Sequence, residues 1–188
     1  MITKYCLYLI LITSHSSVLA SQWPYLASQP FKQRQKIALE WSADCDTIIE
    51  IGGAGTPIDN FVANKNIIVV DPAIAHREND NVLHVRAKFG DWYKKDLISS
   101  NNYAVLILGL ALDKMKENGW SKLYELIDNS SKTIIEYSTT YKSAKKQIKS
   151  IKKNINKSCV EEHELDLSNY DFSKYKKVNP HRKICLFK

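Results

Sequence analysis

The sequence predicts an α/β domain in which a mostly parallel sheet carries helices on both faces. Short runs of β-branched residues alternate with segments whose apolar residues recur at helical spacing, which is the order expected of a parallel sheet. Residues 103–110 form an apolar run, as in a central strand that is covered on both faces. The 188 residues are 44% apolar and 25% charged, which excludes a disordered chain and a polytopic membrane protein.

The elements of this sheet are predicted in order from residue 31. Strands are predicted at residues 46–51, 66–71, 81–87, 103–110, 132–137, 159–167 and 182–187. Helices are predicted at residues 31–41, from Pro57 through Val62, at residues 116–129 and at residues 141–156. No clear helix separates the last two strands, so these two can pair antiparallel.

The first twenty residues differ from the rest of the chain. Lys4 is the one charged residue in this segment, residues 5–12 are apolar, and Val18 and Ala20 are the third-last and last positions. This pattern is typical of a secretory signal peptide, and the apolar run is too short to span a bilayer as a helix. The alternative is an N-terminal helix or strand packed on the domain. Residues 21–30 contain two prolines and are interpreted as a linker, which leaves the domain at 31–188.

The four cysteines are Cys6, Cys45, Cys159 and Cys185, and none forms a CxxC pair. With five scattered histidines they predict no metal site. Cys159 and Cys185 lie near opposite ends of strands that can run antiparallel, which can bring them side by side. If the domain is exported, we therefore expect these two to form a disulfide and Cys45 to remain free.

A glycine-rich turn follows the first predicted strand at residues 50–55. Glycines allow a sharp turn and a close approach of a ligand to the backbone, at the edge of the sheet where open α/β sheets bind ligands. Asp71 follows 21 residues after Glu50 and closes the second strand, where a carboxylate can accept both hydroxyls of a ribose. The alternative is that Asp71 caps a turn before Pro72.

Gly52 is expected to be the least replaceable residue in the chain, because it follows the buried strand directly and the backbone must turn beneath the ligand. Alanine at Gly53 or Gly55 is expected to have a milder effect.

These motifs, in this order, resemble the class I S-adenosylmethionine-dependent methyltransferase family over residues 31–188. The resemblance implies a Rossmann-like, seven-stranded sheet with one antiparallel strand near the edge, and S-adenosylmethionine as the cofactor. The family's acidic residue and glycine-rich run correspond to Glu50-Ile51-Gly52-Gly53-Ala54-Gly55, and its ribose-binding acid corresponds to Asp71. Its acid after the third strand corresponds to Asp91, and the end of its fourth strand corresponds to Gly109-Leu110. The implied cofactor-binding residues are therefore Glu50, Gly52, Gly53, Ala54, Gly55, Asp71, Asp91, Gly109 and Leu110.

The catalytic residues and the methyl acceptor are not indicated. Ala54 and Thr56 stand where the family usually has glycines, and no Asn-Pro-Pro-Tyr motif follows Leu110, which argues against the common nucleic-acid and glutamine N-methylating types. Two functions stay open, a methyltransferase of unknown acceptor and a catalytically silent binding domain of the same fold. The signal pattern suggests export, whereas use of this cofactor suggests the cytoplasm.

Dinucleotide binding is a further alternative that the turn disfavours. The run that begins at Gly53 lacks the third glycine of the Gly-x-Gly-x-x-Gly fingerprint. Pro57 also removes one amide from the start of the next helix, where a pyrophosphate would bind.

The formal net charge is +7, and seven lysines lie between residues 141 and 157. Their spacing against Ala144, Ile148, Ile151 and Ile155 predicts an amphipathic helix with a basic outer face. Such a face is ordinary for a solvated helix, and an anionic partner is the alternative. Aromatic residues are not interleaved, so the nucleic-acid signal is not strong. Glu136 and Tyr137, at the end of the fifth strand, are candidates for a substrate pocket.

Overall fold

The computed structural model describes residues 29–53, 55, 57–94, 98, 102–109, 117–165 and 181–188. The helices are α1 (Gln29–Trp41), α2 (Phe89–Trp92), α3 (Glu117–Asn129) and α4 (Lys142–Asn154), with a 3₁₀ helix at Ile58–Asn60. The strands are β1 (Thr47–Ile51), β2 (Asn66–Val70), β3 (Arg77–Asn79), β4 (Val82–Val85), β5 (Tyr103–Ile107), β6 (Lys132–Ser138), β7 (Cys159–Leu165) and β8 (Arg182–Phe187). The segment predicted as a signal peptide lies outside the described residues.

The strands form one sheet in the order β3-β4-β2-β1-β5-β6-β8-β7. The five strands from β4 to β6 are parallel, and β8 lies antiparallel between β6 and β7. This confirms the predicted fold class, with its antiparallel strand near the edge. The described sheet has eight strands rather than seven, because β3 adds a short antiparallel strand beside β4. All three residues of β3 are exposed, so it leaves no apolar alternation to detect.

Helices cover both faces of the sheet, as predicted. Every residue of β1 and β5 is buried, because each side chain meets a covered face. One face packs against α2, α3 and α4, in a core that includes Ile49 of β1 and Leu123 of α3. The opposite face packs against α1 and the 3₁₀ helix, in a core that includes Ile48 of β1 and Ala38 of α1.

The prediction of a helix from Pro57 through Val62 is wrong in length and type, because the structure has only the three-residue 3₁₀ helix there. This helix ends at Asn60, and the amide of the next residue, Phe61, donates to the Ile58 carbonyl. Ile58 is fully buried whereas Phe61 is 39% exposed, so these apolar residues do not form one buried helical stripe. Asn64 then adopts a left-handed φ of 66°, and the chain enters β2 two residues later.

Among the helices that the structure describes, none combines the length and the apolar character needed to cross a membrane.

Candidate functional site

The glycine-rich turn and Asp71 meet at the carboxyl ends of two neighbouring parallel strands. Ile51 of β1 pairs with Val70 of β2, so the next residues, Gly52 and Asp71, leave the sheet side by side. The Gly52 amide donates to the Val70 carbonyl at 2.9 Å, and the Asp71 amide donates to the Val85 carbonyl of β4 at 3.1 Å. Gly52 has a φ of +85°, which is costly for residues other than glycine. The structure therefore brings together the two residues on which the sequence argument depended.

Glu50 acts beneath the turn and not on its surface. Its side chain is buried, and Oε2 accepts a hydrogen bond from the Ile58 amide at 2.7 Å. Burial raises the pKa of this carboxyl to about 7, although the Ile58 hydrogen bond opposes the shift. Glu50 thus links the turn to the 3₁₀ helix, and its role at a cofactor site stays a prediction.

Gly53 is packed directly over that carboxyl group. A Cβ at Gly53 would lie 2.4 Å from Glu50 Oε2 and 2.8 Å from Val69 Cγ1, both well inside contact distance. A methyl group at Gly53 therefore requires the Glu50 and Val69 side chains to shift, and the expectation that alanine there is milder than substitution of Gly52 stays a prediction. Gly55 is exposed, so for that position the expectation stands as a prediction.

Asp71 adopts the turn-capping geometry that was the alternative to ligand binding. Its Oδ1 accepts the Ala73 amide at 2.7 Å. A carboxylate has about four acceptor positions, so this bond is compatible with further contacts to a ligand. Asp71 is half-buried at the edge of the sheet, next to the turn.

Asp91 lies in α2, beyond the carboxyl end of β4, and its side chain is exposed. Its helix packs against α3, where Lys122 Nζ donates to the Gly90 carbonyl. Ala54, Thr56 and Leu110 lie outside the described residues.

Gly109 follows β5, and both its amide and its carbonyl are hydrogen-bonded to side chains of other strands. Its φ is +71°, its amide donates to Glu136 Oε2 at 2.7 Å, and its carbonyl accepts Arg182 Nη2 at 2.6 Å. A Cβ at Gly109 would lie 3.5 Å from Arg34 Nη1. The backbone at this predicted methionine-side position is thus fixed by buried charges.

Those charges form a cluster that we call the arginine–glutamate clamp, made of Arg34, Glu136 and Arg182. Arg34 Nη1 of α1 lies 3.0 Å from Glu136 Oε2 of β6, and Arg182 Nε of β8 bonds to Glu136 Oε1. All three residues are 5% exposed or less. Burial would raise the pKa of Glu136, but the Arg182 and Arg34 guanidinium groups and the Gly109 amide outweigh it and lower the pKa to about 2.

The clamp assigns Glu136 to a structural role and not to a substrate pocket. Its carboxylate is occupied by two guanidinium groups of the same chain, and the Tyr137 hydroxyl on the opposite face bonds to Glu162. Neither arginine is among the site residues predicted from the sequence. Arg34 precedes Ala38 by four residues and Trp41 by seven, a spacing that places it on the buried stripe of α1.

The second cross-link near this edge of the sheet is a disulfide, which lies on the opposite face from the clamp. Cys159 of β7 and Cys185 of β8 are bonded, with their Cα atoms 6.1 Å apart, and Cys45 is free and buried. This confirms the predicted pairing.

The geometry of the turn further disfavours a dinucleotide. Residues 57–65, all described, contain only the three-residue 3₁₀ helix. The pyrophosphate of a dinucleotide binds at the N-terminus of an α-helix, and no α-helix begins there.

The fold is similar to solved methyltransferase structures. A Burkholderia thailandensis 1,6-didemethyltoxoflavin-N1-methyltransferase, solved with S-adenosylhomocysteine, matches with a TM-score of 0.63 at 9% identity, over 100% of this chain and 90% of that one. A Leishmania major S-adenosylmethionine-dependent methyltransferase matches with a TM-score of 0.57 at 11% identity, over 85% of this chain and 71% of that one. Magnesium protoporphyrin IX methyltransferase from Synechocystis PCC 6803, solved with S-adenosylmethionine, matches with a TM-score of 0.55 at 9% identity, over 84% and 79%. No protein-family model and no curated protein sequence matches the chain. At these identities the likeness concerns the fold, and the chain has the Rossmann-like fold of the class I S-adenosylmethionine-dependent methyltransferases.

Proposed function

We propose that the chain binds S-adenosylmethionine at the carboxyl ends of β1, β2, β4 and β5 and transfers its methyl group to an acceptor that the site does not specify. The observation that carries this proposal is the placement of Gly52, with its positive φ, directly beside Asp71. β1 lies between β2 and β5 in the sheet, so the turn stands where the strand order reverses. Ligands of open α/β sheets bind at such a point.

Each residue of the site then has a separate task. Gly52 lets the ligand approach the backbone, and Asp71 accepts the ribose hydroxyls while its Oδ1 also holds the Ala73 amide. Asp91 is the candidate partner of the adenine amino group. Glu50 and Gly53 lie below the turn and position it. Ala54 and Leu110 remain candidates by their position in the sequence.

The clamp supports the methionine end of this proposed site. Gly109 would present its Cα face to the ligand, because its amide and carbonyl are bonded to Glu136 and Arg182. The bound cofactor supplies a reactive sulfonium methyl. The protein's task is mainly to align the acceptor with that methyl group, so a general base is not required of the residues present.

A second candidate function is a catalytically silent binding domain, and the disulfide between Cys159 and Cys185 favours it. Disulfides persist in oxidising compartments, where a protein does not normally meet this cofactor. Ala54 and Thr56 in the turn point the same way.

Calorimetric titration with S-adenosylmethionine separates the two candidates. We expect the chain to bind the cofactor and Asp71→Asn to weaken binding by about 1–3 kcal/mol, because the charge of the ribose acceptor is lost. Asparagine can still accept the Ala73 amide, so the turn is retained. Asp80→Asn, at an exposed turn position after β3, is the matched control and should bind like the parent. Absence of binding by the parent favours the silent domain, and equal binding by Asp71→Asn removes the ribose assignment.

A further inference from the structure

The net charge of the chain is concentrated on one helix. α4 contains six lysines and no acidic residue. These six account for all but one of the seven excess positive charges of the whole sequence. All six are exposed: Lys142, Lys145, Lys146, Lys149, Lys152 and Lys153.

The three kinds of side chain on α4 occupy separate stripes. At 3.6 residues per turn, the six lysines fall within an arc of about 120°, which we call the lysine stripe. The buried residues Ala144, Ile148 and Ile151 form a second arc against the sheet. The neutral polar residues form the third, and one of them, Ser150, bonds to the Tyr124 hydroxyl of α3 at 2.9 Å. The lysine stripe is therefore the flank that turns away from α3.

Lys152 and Lys153 lie in the last turn of α4, where cations are favourable, but the other four lysines lower the stability of the helix. Lys142, Lys145 and Lys146 lie at the positive N-terminal end of α4, where cations are disfavoured. Lys149 has like-charged neighbours three or four residues away in both directions, and such pairs destabilise a helix. None of the six lysines forms an ion pair within 4.0 Å with an acidic residue of the described part of the chain, and the one attraction to such a residue is that of Lys152, which helps to lower the pKa of Glu162 on β7. A helix that needed only solubility would be more stable with glutamates between its lysines.

We propose that the lysine stripe of α4 is a docking surface for an anionic lipid membrane. A planar anionic surface presents charge from one side, and a flank of a helix packed on a sheet is accessible from one side only. A nucleic-acid groove has two walls and favours an element that protrudes into it. The stripe also has no arginine for bidentate contacts to bases and no aromatic residue for stacking on them. Clusters of four to eight basic residues on an amphipathic helix are typical of contact with acidic lipid headgroups.

The contact is peripheral and electrostatic. The apolar stripe of α4 is buried in the domain core, so it is not available to enter the lipid. Binding therefore requires acidic headgroups and decreases as salt screens the lysines. This surface is separate from the proposed cofactor site and does not depend on it.

Vesicle co-sedimentation of the full chain tests the proposal. One set of vesicles is phosphatidylcholine alone, and the other contains phosphatidylglycerol as well. We expect the chain to partition more strongly onto the anionic vesicles, with the difference disappearing at high salt. Lys145→Gln, Lys146→Gln and Lys149→Gln together should weaken this anionic-specific binding about tenfold or more.

The control removes three exposed lysines from other surfaces, by Lys32→Gln, Lys36→Gln and Lys88→Gln. It has the same net charge as the stripe variant, and we expect it to bind within about twofold of the parent, since only lysines close to the lipid contribute. Equal losses in the two variants would assign binding to net charge and overturn the proposal. Equal binding to neutral and anionic vesicles would overturn it as well. Tighter binding to a DNA duplex than to anionic vesicles, lost in the stripe variant alone, would assign the stripe to nucleic acid instead.

Discussion

Two glutamates are buried on the same face of the sheet, under α1, and the chain satisfies them in opposite ways. Glu136 on β6 lies between two guanidinium groups, and its pKa is about 2 although burial opposes ionisation. Glu50 on β1 accepts one backbone amide, and burial raises its pKa to about 7. The comparison shows that the β5–β6–β8 side is held by fixed charge, whereas the turn beside β2 is held by a carboxyl group whose pKa is raised to about 7.

This difference corresponds to what each side has to do. A fixed ion cluster ties three elements distant in sequence, α1, β6 and β8, and buries the Glu136 carboxylate completely. The turn needs only local support from Glu50, and above that support Gly52 and Asp71 are at the edge of the sheet. Four substitutions test the comparison.

The largest effect is expected for Glu136→Ala. Removing this carboxylate leaves two buried guanidinium groups without their shared counter-charge, which should lower the free energy of unfolding by about 3–5 kcal/mol. Glu164→Ala is the control, because Glu164 is 82% exposed and lies 3.8 Å from Lys183. Denaturant unfolding should show almost no change for this control. Equal stability of the two variants would mean that the clamp does not hold this side of the sheet.

The disulfide between β7 and β8 should contribute nearly as much to the free energy of unfolding as the clamp does. Cys159→Ser is expected to lower the free energy of unfolding by about 3 kcal/mol, because the bridge closes a loop between residues 26 positions apart. Adding dithiothreitol should lower the parent to the stability of this variant and leave the variant unchanged. A parent that does not respond to the reductant would contradict the assignment.

Glu50, beneath the turn, should make the free energy of unfolding depend on pH by an amount of similar size. The pKa of Glu50 is raised in the folded state, so its contribution to stability is complete below about pH 4.5 and is lost as the pH rises through 7. The free energy of unfolding of the parent should fall by roughly 3 kcal/mol across this interval relative to Glu50→Gln, which mimics the protonated acid. The two proteins should be equally stable at pH 4.5. Parallel curves from pH 4.5 to pH 8 would show that Glu50 is ionised throughout.

At lower pH, we expect Glu136 to change the free energy of unfolding with pH in the opposite direction. Its pKa is lowered in the folded state, so its contribution is complete above about pH 4.5 and is lost as the pH falls towards 2. Stability of the parent should therefore have a maximum between these two transitions.

The smallest effect is expected for Gly53→Ala. The added methyl group would meet the Glu50 carboxyl at 2.4 Å, and displacing that carboxyl should cost about 1–3 kcal/mol. Gly55→Ala, at an exposed position two residues later, should change the melting temperature very little. Comparable melting temperatures for the two variants would show that the Glu50 carboxyl moves aside for the added methyl group without a loss of stability.

The sequence was sufficient for the features that depend on local pattern. Alternating strands and helices predict the sheet, and the spacing of Glu50 and Asp71 predicts that their strands end at one edge. The clamp could not be predicted in this way, because Arg34 and Glu136 are 102 positions apart and a charged residue is ordinarily assigned to the surface. The steric limit at Gly53 depends on the direction of the Glu50 side chain, which no pattern of residue types contains.

The position of β8 between β6 and β7 has a consequence for how the chain matures. Both neighbours of β8 are synthesised before it, and so are Arg34, Glu136 and Cys159. Until the ribosome has released the segment that contains Arg182 and Cys185, the glutamate has only one of its two arginines and the sulfur of β7 has no partner. A chain that is interrupted before β8 would thus leave a gap between β6 and β7, so the sheet, the clamp and the disulfide are completed only after β8 has been synthesised.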